Sequence, residues 1–177
     1  MSQTTFSHII SPTFGRLSFP AMYDRIQAYI QGTPAEDVRF LIGTDSKPAH
    51  RRNEKISYYT VLVVWCVGGG ARYFYVQSKG IRTPSFKQRV WNEATLSLAF
   101  AQKVQDEFTS HLSSQPRITV EVDAGLNGQT RDIINQVVGM ITGSGFDSNH
   151  KPNTVACRVA DACTNGITFR QAHLATS

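Results

Sequence analysis

The chain has 177 residues, 41% of them hydrophobic and ten of them Phe. That suits one domain with a real core and excludes a disordered or low-complexity protein. A formal net charge of +5 is compatible with a polyanionic partner without requiring one.

Residues 1–19 are polar, with Pro12, Gly15 and Pro20 as breakers, and read as an irregular lead-in. Met22, Ile26, Tyr29 and Ile30 recur at helical spacing and predict a short helix from Phe19 to Ile30, ended by Gly32-Thr33-Pro34. Val38 to Asp45 is apolar enough for a strand covered on both faces, and it stops abruptly in Gly43-Thr44-Asp45-Ser46. A carboxylate there lies next to the core, where an unpaired charge is costly and a metal ion could be held rigidly. Taken alone, Asp45 is more simply a turn former. His50 to Lys55 is a polar loop. Ile56 to Val67 and Ala71 to Ser78, joined by Gly68-Gly69-Gly70, predict a hairpin.

Gly80 to Pro84 is a loop holding Arg82, and Pro84 suits the first turn of a helix. The longest helical pattern runs from Phe86 to about Leu112, with Val90, Ala94, Leu98, Ala101, Val104 and Phe108 in its apolar stripe. Glu93 falls beside that stripe, where a glutamate with its head in water is ordinary. Arg117 to Asp123 alternates Ile118, Val120 and Val122 with Thr119, Glu121 and Asp123, which predicts a strand ending in a carboxylate. Glu121 is expected at a surface or edge. Gly128-Gln129-Thr130 opens a second helix, whose buried face is Ile133, Ile134, Val137, Val138 and Ile141. Gly143 and Gly145 end it. Phe146 to Pro152 reads as a loop containing His150, and Thr154 to Ala160 as the last strand, terminated by Asp161. The residues from 166 onward form a short tail.

Cys66, Cys157 and Cys163 make neither a C-x-x-C pair nor a disulfide framework, so reduced, buried thiols in a cytoplasmic protein are expected. The first residues lack a basic segment leading into a long apolar run, so no signal peptide is expected, nor any membrane association. Between Glu54 and Glu93 there is no acidic residue, while Lys55, Arg72, Lys79, Arg82, Lys87 and Arg89 fall there. This is either an ordinary basic surface or a flank that faces phosphates.

The order is therefore helix, then strand-strand-strand-helix-strand-helix-strand, with Asp45, Asp123 and Asp161 each ending a strand and Glu93 on the long helix. Carboxylates from separate elements suit two-metal phosphodiester cleavage, in which the ions sit about 3.5–4 Å apart. Magnesium prefers such oxygen ligands. The element order is similar to that of the ribonuclease H-like fold, a mixed α/β architecture with a five-stranded sheet. The chain resembles the YkuK family within that superfamily. Ile42-Gly43-Thr44-Asp45-Ser46, Asn92-Glu93-Ala94, Val122-Asp123-Ala124-Gly125, Gly128-Gln129-Thr130-Arg131, Val137 to Phe146, Lys151-Pro152 and Val159-Ala160-Asp161 carry the resemblance. Together they span roughly residues 36 to 165, within one domain covering 1–177.

The resemblance implies a nuclease whose Asp45 bridges two Mg2+ or Mn2+ ions, with Glu93, Asp123 and Asp161 as the remaining catalytic and metal-binding carboxylates. Nucleic acid is the implied partner, whether RNA, DNA or hybrid. His150 matches by position a mobile-loop histidine proposed to help product leave; a solvent-facing loop histidine is the plainer reading. Lys47, Arg82 and Lys87 are candidate phosphate contacts flanking Asp45 and Glu93. Thr130 and Arg131, at a helix start, suit a phosphate, although simple capping by Thr130 is the plainer reading. The alternatives to a nuclease are a binding module that keeps the fold without cutting, and a structural or regulatory protein with a remnant acidic site.

Overall fold

The computed structural model describes residues 6, 8–35, 37–47, 55–109, 117–124 and 131–167. Along the chain it has β1 (Ile9–Ser11), β2 (Gly15–Leu17), α1 (Phe19–Gly32), β3 (Val38–Ser46), β4 (Lys55–Cys66) and β5 (Gly70–Arg82). Then come α2 (Phe86–Thr109), β6 (Ile118–Val122), α3 (Arg131–Gly143), β7 (Asp147–His150) and α4 (Ala156–Thr164). Among the described residues the strands form one sheet in the order β2-β1-β5-β4-β3-β6-β7. β3 pairs antiparallel with β4 and parallel with β6, and β6 pairs parallel with β7. The expected mixed five-stranded sheet is thus present, with β3 in its middle. No helix among the described residues is long and apolar enough to cross a membrane.

β3 shows why a dense apolar run is needed there. Side chains alternate across a strand. Phe40 and Ile42 enter the larger core with α1, α2 and α3, where Phe40 meets Phe108 edge-on at 5.2 Å. Leu41 enters a smaller core with Val61, Val63 and the α4 residues Ala156, Val159 and Ala160. Gly43 lies beneath α4 on that second face. A Cβ at Gly43 would come within 2.8 Å of both the backbone nitrogen and the Sγ of Cys157. Glycine is therefore what lets the helix approach the central strand. All three cysteines are free; Cys66 and Cys157 are buried, as expected, and Cys163 is half-buried.

Five sequence expectations change, four of them in secondary structure. The lead-in is not wholly irregular: β1 and β2 form a hairpin, and Ile10 of β1 pairs with Tyr75 of β5, extending the sheet to seven strands. Arg82 is not in a loop, because β5 runs through it and pairs it with Lys55 of β4. The expected loop around His150 is β7, a strand of Asp, Ser, Asn and His. It has no apolar pattern and forms because the β6 backbone lies alongside. The expected last strand, 154–160, is instead the start of α4, so Asp161 sits within a helix rather than at a strand end.

The reason for the last change lies in Glu121. This residue is buried at 2% exposure, not at a surface or edge. Its Oε2 accepts hydrogen bonds from the backbone N–H groups of Val155, Ala156 and Cys157 at 2.7, 2.6 and 3.3 Å. A helix start leaves such donors unpaired and carries partial positive charge, so a carboxylate is well placed there. Burial still pushes the Glu121 carboxyl above its ordinary value, against the amides that favour its charged form. Short apolar runs are ambiguous between strand and helix; the tertiary cap decides this one.

Two outcomes follow. Gly43→Ala is expected to destabilise the fold by about 1–3 kcal/mol through overpacking, read as a fall in Tm. Glu121→Ala leaves three amides without their acceptor and is expected to cost about 2 kcal/mol or more, with protection from hydrogen exchange lost first in α4. Unchanged exchange in α4 would refute the capping role.

Candidate active site

Parallel strands place their carboxyl ends at one edge of a sheet, where open α/β folds bind ligands. β3 brings Asp45 to that edge, and β6 brings Asp123 just beyond its last residue. α2 packs on one face of the sheet and α4 on the other. Two paired contacts align α2 with β3. Ser46 Oγ donates to Glu93 Oε1 at 2.7 Å, and Thr44 Oγ1 lies 2.7 Å from Ser97 Oγ. The spacing matches physically: two strand residues rise about 6.6 Å and four helical residues rise about 6 Å. Thr44 Oγ1 also lies 2.9 Å from Thr60 Oγ1, so these buried hydroxyls satisfy one another.

Asp45 is 7% exposed, and its Oδ2 lies 3.0 Å from Thr164 Oγ1 on α4. The same hydroxyl lies 2.6 Å from the Asp161 carbonyl oxygen, a turn earlier in the helix. Burial raises the Asp45 carboxyl above its ordinary value, and Asp123 and Asp161 lie near enough to add to the rise. Glu93 is 6% exposed. Its Oε1 accepts from Arg89 Nε at 3.1 Å as well as from Ser46. Burial nevertheless pushes it up to about 7, with Asp45 and Asp123 contributing. Asp123 is half-buried, and its Oδ1 lies 2.7 Å from Lys151 Nζ. Asp161 is exposed, and its Oδ1 accepts from Asn165 Nδ2 at 3.1 Å.

The four sequence-predicted carboxylates thus belong to one electrostatic neighbourhood, drawn from both faces of the sheet. Oxygen donors of this kind suit Mg2+ or Mn2+. Burying Asp45 and Glu93 among like charges is a cost that a cation would relieve. The donor chemistry therefore fits a hard divalent cation. As the side chains stand, however, no three Asp, Glu, His or Cys among the described residues close on a point tightly enough to hold one.

The basic candidates gather at the same edge because β4 and β5 are antiparallel. Ser46 pairs with Tyr58, and Lys55, at the start of β4, pairs with Arg82 at the end of β5. Lys47 follows β3, and Lys87 lies in the first turn of α2; Lys47, Arg82 and Lys87 are all exposed. Tyr58 Oη, Thr83 Oγ1 and Asn92 Nδ2 form a hydrogen-bonded knot that fixes the turn from β5 into α2. Thr130 lies outside the described residues, as does the side chain of Arg131, which opens α3. His150 ends β7, with Nδ1 2.9 Å from the Lys151 carbonyl oxygen, so it does not sit on a free loop.

Sequence reasoning missed Ser46, Arg89, Lys151 and Thr164 as partners of the carboxylates. Arg89 was detectable from its four-residue spacing to Glu93. Thr164 had the weaker signal of lying one turn after Asp161. Lys151 had only its place in the Lys151-Pro152 segment of the resemblance, because the strand that delivers it was read as a loop.

A family model described as ribonuclease H-like matches residues 21–165. Compared with curated proteins, the chain matches none. The family match spans all four carboxylates, their basic partners Arg89 and Lys151, and Thr164.

The elevated Glu93 sets a pH test in the absence of divalent cations. The folded state holds the Glu93 proton up to about 7, against 4.5 for the ordinary carboxyl. Between those values the folded state binds more protons, so stability is lost as pH rises through the window. Tm is expected to fall from about pH 5 to about pH 8, and Glu93→Gln should remove much of that fall, at most about 3 kcal/mol. Parallel pH profiles for the two proteins would show that Arg89 and Ser46 fully offset burial.

Proposed function

We propose that this chain, which belongs to the YkuK family of ribonuclease H-like proteins, is a divalent-metal-dependent hydrolase of nucleic-acid phosphodiester bonds. The observation that carries this reading is the gathering of Asp45, Glu93, Asp123 and Asp161 at the carboxyl edge of the central strands. Magnesium or manganese would be held by Asp45, with Glu93, Asp123 and Asp161 as the further carboxylates. When bound, such an ion makes water a better nucleophile and polarises a phosphoryl oxygen.

The chain's own residues do the rest. Thr164 and the buried end of β3 hold Asp45 in place, and Ser46 and Arg89 orient Glu93. Lys47, Arg82 and Lys87 offer positive charge to the flanking phosphates. Phe86, 56% exposed in the first turn of α2, adds an aromatic face on which a base can stack. The adjoining knot of Tyr58, Thr83 and Asn92 keeps that turn in place.

A second reading is a nucleic-acid-binding module that does not cut. It has one observation in its favour: Arg89 and Lys151 already sit on Glu93 and Asp123, neutralising two of the four carboxylates.

The two readings separate on manganese. The hydrolase is expected to gain about 2.7 kcal/mol of stability at a hundredfold excess over Kd, seen as a rise in Tm, and to cleave one member of a panel of RNA, DNA and hybrid substrates. Asp45→Asn should fold normally, lose the manganese effect and lose cleavage. Nucleic-acid binding with an intact panel and no response to manganese would instead establish the second reading.

A further inference from the structure

Lys151 stands where the register of the sheet puts it. β7 runs parallel to β6 with His150 opposite Val122, so the next residue of each strand, Lys151 and Asp123, emerge side by side at the carboxyl edge. The result is the 2.7 Å contact between Lys151 Nζ and Asp123 Oδ1. Asp45 also lies close enough to act on the same ammonium. The Lys151 side chain remains 52% exposed, so its head is open to an incoming group.

The four carboxylates are not treated alike. Glu93 is paired with a guanidinium and Asp123 with an ammonium. Asp45 and Asp161 are met by a neutral hydroxyl and a neutral amide. Among the described residues, and with all four carboxylates ionised, these two paired cations leave an excess of two negative charges, which a single divalent ion matches. A second divalent ion would have to displace Lys151 from Asp123, or share Asp123 with a positive charge already in contact with it.

We infer that the site takes one divalent ion, at Asp45, and that Lys151 supplies the second positive charge, held on Asp123 and presented to the phosphate. This rests on the hydrolase reading above. An ammonium is a compact charge with three donors, suited to a phosphoryl oxygen. It would act as an electrostatic partner of the substrate, while its grip on Asp123 keeps that carboxylate from a second ion.

The test is manganese binding to the full chain without substrate, followed by calorimetry and by the electron paramagnetic resonance of free Mn2+. Wild type is expected to bind one ion. Lys151→Gln should bind two, or bind one at least about tenfold more tightly, because a positive charge that lies against Asp123 and near Asp45 has been removed. Lys151→Arg, which keeps the charge, should stay at one ion. Lys103→Gln, which removes the same charge from the exposed side of α2, should match wild type in stoichiometry and affinity. Two ions in wild type would overturn the inference and leave the hydrolase reading standing. Unchanged stoichiometry and affinity in Lys151→Gln would overturn it too. Absence of manganese binding in both wild type and Lys151→Gln would overturn the hydrolase reading itself, and this inference with it.

Discussion

The buried carboxylate of Glu121 is the constraint on which the candidate site depends. α4 has nine residues, too few to form a stable helix alone in water. It persists because a charged acceptor on the neighbouring strand takes up its first amides, and because Gly43 lets it lie close on β3. Charge-assisted bonds of this kind are stronger than neutral ones. Once seated, α4 delivers Thr164 to Asp45 and brings Asp161 into the same electrostatic neighbourhood. A residue that read as a surface glutamate therefore sets the geometry of the last carboxylate.

The site also joins two separate packing layers. Glu93 reaches the sheet edge from the α2 side and is fixed by hydroxyl contacts to β3. Thr164 and Asp161 reach it from the α4 side. Asp45 lies on the strand between these layers, with its carboxylate met from the α4 side. A change in either core can therefore move one wall of the cluster without touching the other.

Much of this was legible in the sequence, for a physical reason in each case. The apolar run of β3, the Val- and Tyr-rich β4, and the long stripe of α2 have strong periodicity and bury what their pattern says they bury. Asp45, Asp123 and Glu93 fall on or beside the expected elements because those elements form as their patterns predict. The errors fall where tertiary contacts override weak local signals. β1 is three residues long and β7 carries four half-buried polar residues; both exist because a neighbouring backbone pairs with them. The 154–160 segment has β-branched residues at Thr154, Val155 and Val159, which favoured a strand, and no local cap marks its helix start. Its cap comes from 34 residues earlier in the chain. Alternation along β6 put Glu121 and Asp123 on one face, but alternation alone cannot say that a helix covers that face.

The contact between Thr164 and Asp45 spans 119 positions of sequence. Contacts of such separation close late, because the entropy of the intervening loop must be overcome first. During synthesis Asp45 leaves the ribosome long before α4 does. A nascent chain can pair β3 with β4 and dock α2, yet its carboxylates stay incomplete until residue 164 is free to fold back. The acidic cluster is therefore completed only once α4 has been made and has packed on β3.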